Sequence, residues 1–251
     1  MNMERFYREE DLFPKGIAAY EERPYGILFY NEQNRDSYDS NHALLYRHRI
    51  DDPAAVLEDV LRFYRGKGIR PNLYGSAFDE GYFAEIGSVL SAHGFEHWSE
   101  PQRYMVLKAP STLQPRPGID VQRASHWREE YGSGIFEPAG EPWEIPVAKR
   151  ALENDNTLFF VAAVEGRPVG MTYAHTAEGI CRVDYLLVAP AYRKMGVGRS
   201  LIACFVEHCR QNGIEACYLW PGDDSAERIY HEAGFRYVET RMADRATLRS
   251  E

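Results

Sequence analysis

Two periods of hydrophobic spacing run along this chain, and the switches between them predict its elements. Residues 26–30 and 42–50, rich in Leu, Ile and Tyr, read as strands. After Pro53, the side chains of Val56, Leu57, Val60, Leu61 and Tyr64 recur at helical spacing, and Gly68 supplies a stop. A strand over 70–73 follows. A second helix is marked by Tyr82, Phe83, Ile86, Val89 and Leu90 and ends at Gly94-Phe95, before a strand over 103–107.

The stretch KAPSTLQPRPG, residues 108–118, interrupts both periods with three prolines and a glycine, the composition of a connector. It places a domain boundary there, with an N-terminal domain over 1–110, a linker over 111–118 and a second domain over 119–251. In the second domain strands are expected at 119–123, 157–164, 169–175 and 181–188, the last three joined as an antiparallel meander with a turn at Gly166-Arg167-Pro168. Leu201, Ile202, Phe205, Val206 and Cys209 then mark a helix stopped at Gly213. A strand over 216–219, a helix carrying Ala226, Ile229, Tyr230 and Ala233, and a strand over 236–242 complete the pattern.

The two halves carry matching punctuation: Pro53, Gly68-Ile69 and Gly94-Phe95 align with Pro190, Gly213-Ile214 and Gly234-Phe235. This predicts an internal duplication. The interval from Pro53 to Gly68 is shorter than its counterpart by about the length of residues 191–198, AYRKMGVG, so the first half lacks the glycine-rich loop.

Composition narrows the function. A chain that is 44% hydrophobic and 27% charged can bury a core. A net charge of −9 is the wrong sign for phosphate-backbone or anionic-membrane binding, and a cationic acceptor is the better match. The expectation is therefore no nucleic acid, no membrane, and a small-molecule amine partner for a monomer or homodimer. No apolar run approaches membrane-spanning length and residues 1–10 lack an export signal, which predicts a cytoplasmic protein. Cys181, Cys204, Cys209 and Cys217 show no CxxC pair or histidine partner at metal spacing, so they are expected as reduced core residues, with no metal.

The candidate chemistry lies in Arg193, Lys194, Met195, Gly196, Val197, Gly198, Arg199 and Ser200, which follow an apolar strand and open a helix. There, backbone N–H groups and the positive helix end converge on one spot suited to a pyrophosphate, with basic side chains at the rim. A dinucleotide fold would want a third glycine where Leu201 stands, and a Walker loop would want Gly-Lys-Ser or Gly-Lys-Thr.

The segment VDYLLVAPAYRKMGVGRSLI, residues 183–202, resembles the acetyl-CoA-binding motif of the GNAT superfamily of N-acetyltransferases, whose Arg-x-x-Gly-x-Gly core is met by Arg193, Gly196 and Gly198. AERIYHEAGF, residues 226–235, is similar to the family's later helix, and Val121-Gln122-Arg123-Ala124 to its first strand. The resemblance covers about 119–242. One departure is Asp223, where the family often has Asn.

The resemblance implies an α+β fold of tandem GNAT-like domains, each a mixed, mostly antiparallel sheet flanked by helices, the first a degenerate copy. It implies transfer of an acetyl group from acetyl-CoA to a primary amine by direct attack in a ternary complex. The backbone of Leu186, Leu187 and Val188 would hold the pantetheine arm, and Tyr230 would protonate the departing thiolate. Asp184 is the candidate base, directly or through water, placed by period-two alternation on the face of Leu186 and Val188; pairing with Arg182 is its alternative role. Residues 125–156 would cover the acceptor, with Tyr131, Phe136 and Trp143 as aromatic candidates and Glu137, Glu141 and Glu144 as ammonium partners. A non-catalytic acyl-CoA sensor is the competing reading.

Overall fold

The computed structural model describes residues 2–214 and 216–249. In chain order the elements are α1 (Glu4–Leu12), β1 (Ala19–Arg23), β2 (Gly26–Tyr30), β3 (His42–Leu45), α2 (Pro53–Lys67), β4 (Asn72–Gly75), α3 (Tyr82–Glu85), α4 (Gly87–Ala92) and β5 (Phe95–Leu107). There follow β6 (Ile119–Arg123), α5 (Glu129–Tyr131), a π-helical turn (Gly132–Phe136), α6 (Glu137–Ala139), α7 (Glu144–Glu153), β7 (Thr157–Val164), β8 (Arg167–Ala177) and β9 (Ile180–Val188). The chain closes with α8 (Val197–Gln211), β10 (Ala216–Leu219), α9 (Asp224–Glu232) and β11 (Phe235–Leu248). Among the described residues no helix is long and apolar enough to cross a membrane.

The chain forms two compact units, one of residues 1–102 with 240–251 and the other of 103–239. In the first, β1, β2 and β3 make an antiparallel meander, β3 pairs β4 in parallel, and β4 pairs the C-terminal part of β11 antiparallel. In the second, β6 to β9 are antiparallel neighbours, β9 pairs β10 in parallel, and β10 pairs residues 105–106 of β5 antiparallel. Each unit thus runs meander, crossover helix, parallel strand, antiparallel strand, which is the duplicated plan expected from the punctuation. Gly68 and Gly213, and Gly94 and Gly234, match in conformation as well, all with positive φ.

The boundary differs from the expected linker. Each unit closes its sheet with a strand drawn from the other half of the sequence, so the divisions fall inside β5 and β11. Residues 111–118 are not a free connector but a strap on the second unit. The Thr112 N–H and hydroxyl both donate to Glu232 O at 2.9 Å, Leu113 is buried in that unit's core, and the Arg116 N–H donates to Ser200 Oγ at 2.9 Å. Proline-rich composition reports extended backbone without a regular ladder; it does not report whether that backbone is packed.

Helix α2 shows how local sequence sets an element. Asp52 caps it by accepting from the Ala54 and Ala55 amides, Pro53 supplies the first turn, and Gly68 ends it in the left-handed region. Leu57, Val60 and Tyr64 then face the first unit's core with Leu28, Leu73 and Phe83. Polar segments were harder to read: α1, β1 and the residues 95–102 of β5 carry mostly charged and polar positions, and no period announces them.

One buried carboxyl in the first unit gives a prediction. Asp11 accepts from Ser76 Oγ at 2.7 Å and from the Ala77 amide at 2.9 Å, yet burial outweighs both bonds and pushes its pKa up to about 7. Folding raises this pKa, so the unfolded chain releases its proton first, and stability falls as the pH rises from about 4 to about 7. Asp11→Asn is expected to flatten that slope in urea melts across this range, by about 1.4 kcal/mol per unit of displacement. An unchanged slope would refute the assignment.

Candidate active site

Strand β9 ends at Val188, a short 3₁₀ turn spans Pro190–Tyr192, and Gly196 caps α8 with φ +96°. The positive φ favours glycine here, and a Cβ would meet Arg116 Cδ at 2.9 Å, so a side chain would have to displace that of Arg116. The first helical bond of the turn is Ser200 N–H to Gly196 O at 2.9 Å. The amides of Val197, Gly198 and Arg199 precede it and point out of the helix end. Arg193, Lys194 and Met195 are exposed around them.

The basic side chains are placed differently from the expectation. Arg199 forks onto Glu232 with bonds of 2.8 and 2.7 Å, which takes its guanidinium out of the rim and leaves its backbone amide at the turn. Arg193 Nε donates to Val188 O at 3.0 Å, and Ser200 is buried with its hydroxyl accepting from the strap. The cation that sequence reasoning missed is Arg116, whose Nη1 donates to Met195 O at 2.9 Å. Its position in a proline-rich stretch gave no sign of contact with a loop so far along the chain.

Beside the turn, the sheet opens. β9 pairs β10 only where Ile180, Cys181 and Arg182 meet Ala216, Cys217 and Tyr218. β9 continues to Val188 while holding β8 on its other edge, so among the described residues the backbone of 183–188 has no ladder partner in β10. The equivalent strands of the first unit, β3 and β4, pair along their whole length from His42–Asn72 to Leu45–Gly75 and leave no such edge.

This combination, a splayed parallel pair ending at a glycine-rich helix start, coincides with the match to a known family. Residues 122–235 match the model of the acetyltransferase (GNAT) family. They are a GNAT-family domain. The whole chain shares its fold with a GCN5-related N-acetyltransferase from Kribbella flavida, with a TM-score of 0.68 at 17% identity over 98% of this chain and 95% of that one. A tandem GNAT protein from the clavulanic acid biosynthesis pathway also matches, with a TM-score of 0.57 at 12% identity over 84% of this chain and 76% of that one. The fold is accordingly α+β, with tandem GNAT-like domains. In sequence, a mycothiol acetyltransferase from Streptomyces avermitilis is 23% identical over 77% of this chain and 66% of its own. The chain spans between 44% and 66% of the length of the curated relatives it matches.

Within the GNAT domain, β9 carries an irregularity where it pairs β8. Tyr185 pairs Tyr173 and Val183 pairs Ala174, so Asp184 is an extra residue, a bulge. The bulge overturns the expected alternation. Val183, Leu186 and Val188 pack into the core cluster that contains α8, whereas the Tyr185 ring meets Tyr173 and its hydroxyl bonds Glu144. Asp184 belongs with Tyr185, away from Leu186 and Val188; a single-residue insertion in a ladder has no signature in an apolar run.

Asp184 bonds Arg182 and lies 3.6 Å from His175 Nε2. Burial alone would raise its pKa, but the Arg182 charge and the bond to His175 hold it well below the usual carboxylate range. The pairing with Arg182 is therefore present, and the carboxylate is a weak proton acceptor. Because folding lowers this pKa, the pair adds stability wherever the unfolded carboxyl is ionised, above about pH 4, and that contribution is lost as the pH falls towards the folded value. Asp184→Asn removes the charge facing Arg182, which is 3% exposed, and is expected to cost about 3 kcal/mol in chemical denaturation at pH 7. A cost within the error of the measurement would show that the pair does not stabilise the fold.

The cover over this face comes from residues 129–153. Tyr131 and Phe136 are buried and pack around Trp127, at ring centroid distances of 5.7 and 5.8 Å, so they build the cover and do not present rings to a ligand. Trp143 is half-buried at the start of α7. Glu137 and Glu141 are exposed, and Glu144, half-buried, is the acidic residue that accepts from the Tyr185 hydroxyl. A Cβ at Gly140 would collide with Glu144 Oε2 and touch Leu187 Cδ2 at 3.4 Å, which sets the carboxylate close to the strand end.

Tyr230 lies on α9, 6% exposed, against Phe235. Burial, with a smaller contribution from the Asp223 charge, pushes its phenol pKa above the ordinary value. Asp223 itself caps α9 by accepting from the Ala226 amide at 2.8 Å. Its neighbour Ile229 reaches the loop, since a Cβ at Gly198 would lie 3.3 Å from Ile229 Cδ1.

Proposed function

We propose that the GNAT domain transfers an acetyl group from acetyl-CoA to a primary amine by direct attack in a ternary complex. The observation that carries this reading is the open edge of β9 from Val183 to Val188, running into the amides after Gly196. The residues fit such a co-substrate: backbone groups of Leu186, Leu187 and Val188 offer a ladder to an extended amide-bearing arm, and the helix start offers donors to a diphosphate. Arg193, Lys194, Met195, Gly196, Val197, Gly198, Arg199 and Ser200 form that anchor, Arg199 and Ser200 through their backbone, with Arg116 at its rim.

Acetyl-CoA supplies an activated thioester, and the protein has to orient an amine against it and manage two protons. Orientation is the larger contribution. Glu144, bonded by Tyr185 beside Leu187, holds the acceptor ammonium and receives its proton. Asp184 stays in the proposal as a fixed negative charge behind that pair and not as the direct base. Tyr230, a phenol protonated at neutral pH, carries the proton for the departing thiolate. The first unit, with β3 and β4 closed against each other, is a degenerate copy without turnover.

A screen of acetyl-CoA turnover against amines, including the acceptor of mycothiol acetyltransferase, tests the proposal by release of free thiol. Binding of acetyl-CoA without turnover on any amine would leave a sensor instead. Glu144→Gln is expected to raise KM for the amine about tenfold and to lower kcat, with acetyl-CoA affinity unchanged; an unaltered KM would remove Glu144 from the acceptor site.

A further inference from the structure

Three of the four cysteines converge. Cys181 of β9, Cys209 of α8 and Cys217 of β10 are fully buried and free of disulfides, and their Sγ atoms all lie within 4.8 Å of one another. Cys181 and Cys217 are register partners in the parallel pair, and Cys209 comes down on them from the helix. Their separation in sequence hides the cluster from any spacing motif.

The surroundings decide what such a site can take. The cluster sits in an apolar core with Leu158, Phe205 and Leu219, where an uncompensated charge is costly. Zinc would require three thiolates, leaving a net negative charge and an open fourth position within an apolar core. A neutral trihydroxide of a trivalent thiophilic element avoids both difficulties.

A route in exists. A depression of about 390 Å³ is lined by Asn156, Thr176, Glu178, Gly179, Ile180 and Ile214. Ile180 precedes Cys181, and the Ile214 amide donates to Cys209 O at 2.9 Å. The floor of the depression is thus one residue from the cluster, beside the tight β8–β9 turn at Glu178 and Gly179, both with positive φ.

We propose that Cys181, Cys209 and Cys217 form a three-thiol site for a trivalent thiophilic element of the arsenite class, entered from this depression. Three S–H and three As–O bonds break, three As–S bonds form, and each thiol proton leaves on a hydroxyl as water. The oxidation state does not change and the product carries no net charge. The site lies in the GNAT domain but does not depend on the acyl-transfer reading.

The test is intact-mass spectrometry of the full folded chain incubated with arsenite, with zinc chloride as a parallel arm. The expected result is one arsenic per chain, with a mass gain of that atom less three hydrogens, and protection of three thiols from a maleimide added in denaturant. Cys204→Ser is expected to keep the adduct and Cys209→Ala to lose it; circular dichroism checks that the latter is folded, and the wild-type mass and thiol count stand without it. No adduct on the folded chain, an adduct that leaves any thiol of the cluster reactive, an adduct that survives in Cys209→Ala, or stoichiometric zinc in place of arsenic would each overturn the proposal.

Discussion

Gly196→Val is expected to weaken acetyl-CoA binding by at least about tenfold while leaving the fold in place. The turn holds φ at +96°, a region that costs an ordinary residue about 1–2 kcal/mol and a β-branched one more. The new side chain would also press on Arg116 Cδ, 2.9 Å from even a Cβ, and so lift the strap or swing the turn. Either response disperses the amides of Val197, Gly198 and Arg199, and a loss of about 1.4 kcal/mol is already tenfold in affinity. Calorimetry against acetyl-CoA, with far-ultraviolet circular dichroism as the control for folding, reads the effect. Undiminished affinity in the folded variant would mean that this turn is not the anchor.

Tyr230→Phe is the second large effect: kcat is expected to fall by about 10²–10⁴, with acetyl-CoA affinity little changed. The ring packs against Phe235 in the core, so removing the hydroxyl keeps the contact and deletes only the proton carrier. A phenol carries its proton at neutral pH in any case, and burial raises its pKa further. Pre-steady-state release of free thiol distinguishes this from slow product release. Normal turnover in the variant would assign the proton to water and leave Tyr230 as packing.

The candidate site was unevenly legible, and the differences follow from range. The glycine-rich turn, the strand before it and the helix after it are local: Gly196, Gly198 and the apolar run 186–188 show them directly. The roles of Arg199, Ser200 and Arg116 are not local, because each is fixed by a partner more than thirty positions away in sequence. Tyr131 and Phe136 looked like pocket aromatics for the same reason; nothing near them in sequence says that Trp127 and the core would claim their rings.

By itself the sequence determined the duplicated plan, the crossover helices with their caps, and the position of the glycine-rich turn, since period, proline and positive-φ glycine act through bonds within a few residues. Only the tertiary structure decided which strand closes each sheet, that the 111–118 segment is a strap, and that a bulge at Asp184 turns that carboxylate away from Leu186 and Val188. It alone also brought three distant thiols together. Those outcomes depend on strand pairing and core packing between remote segments, where the free energy belongs to the pair and neither sequence carries it alone.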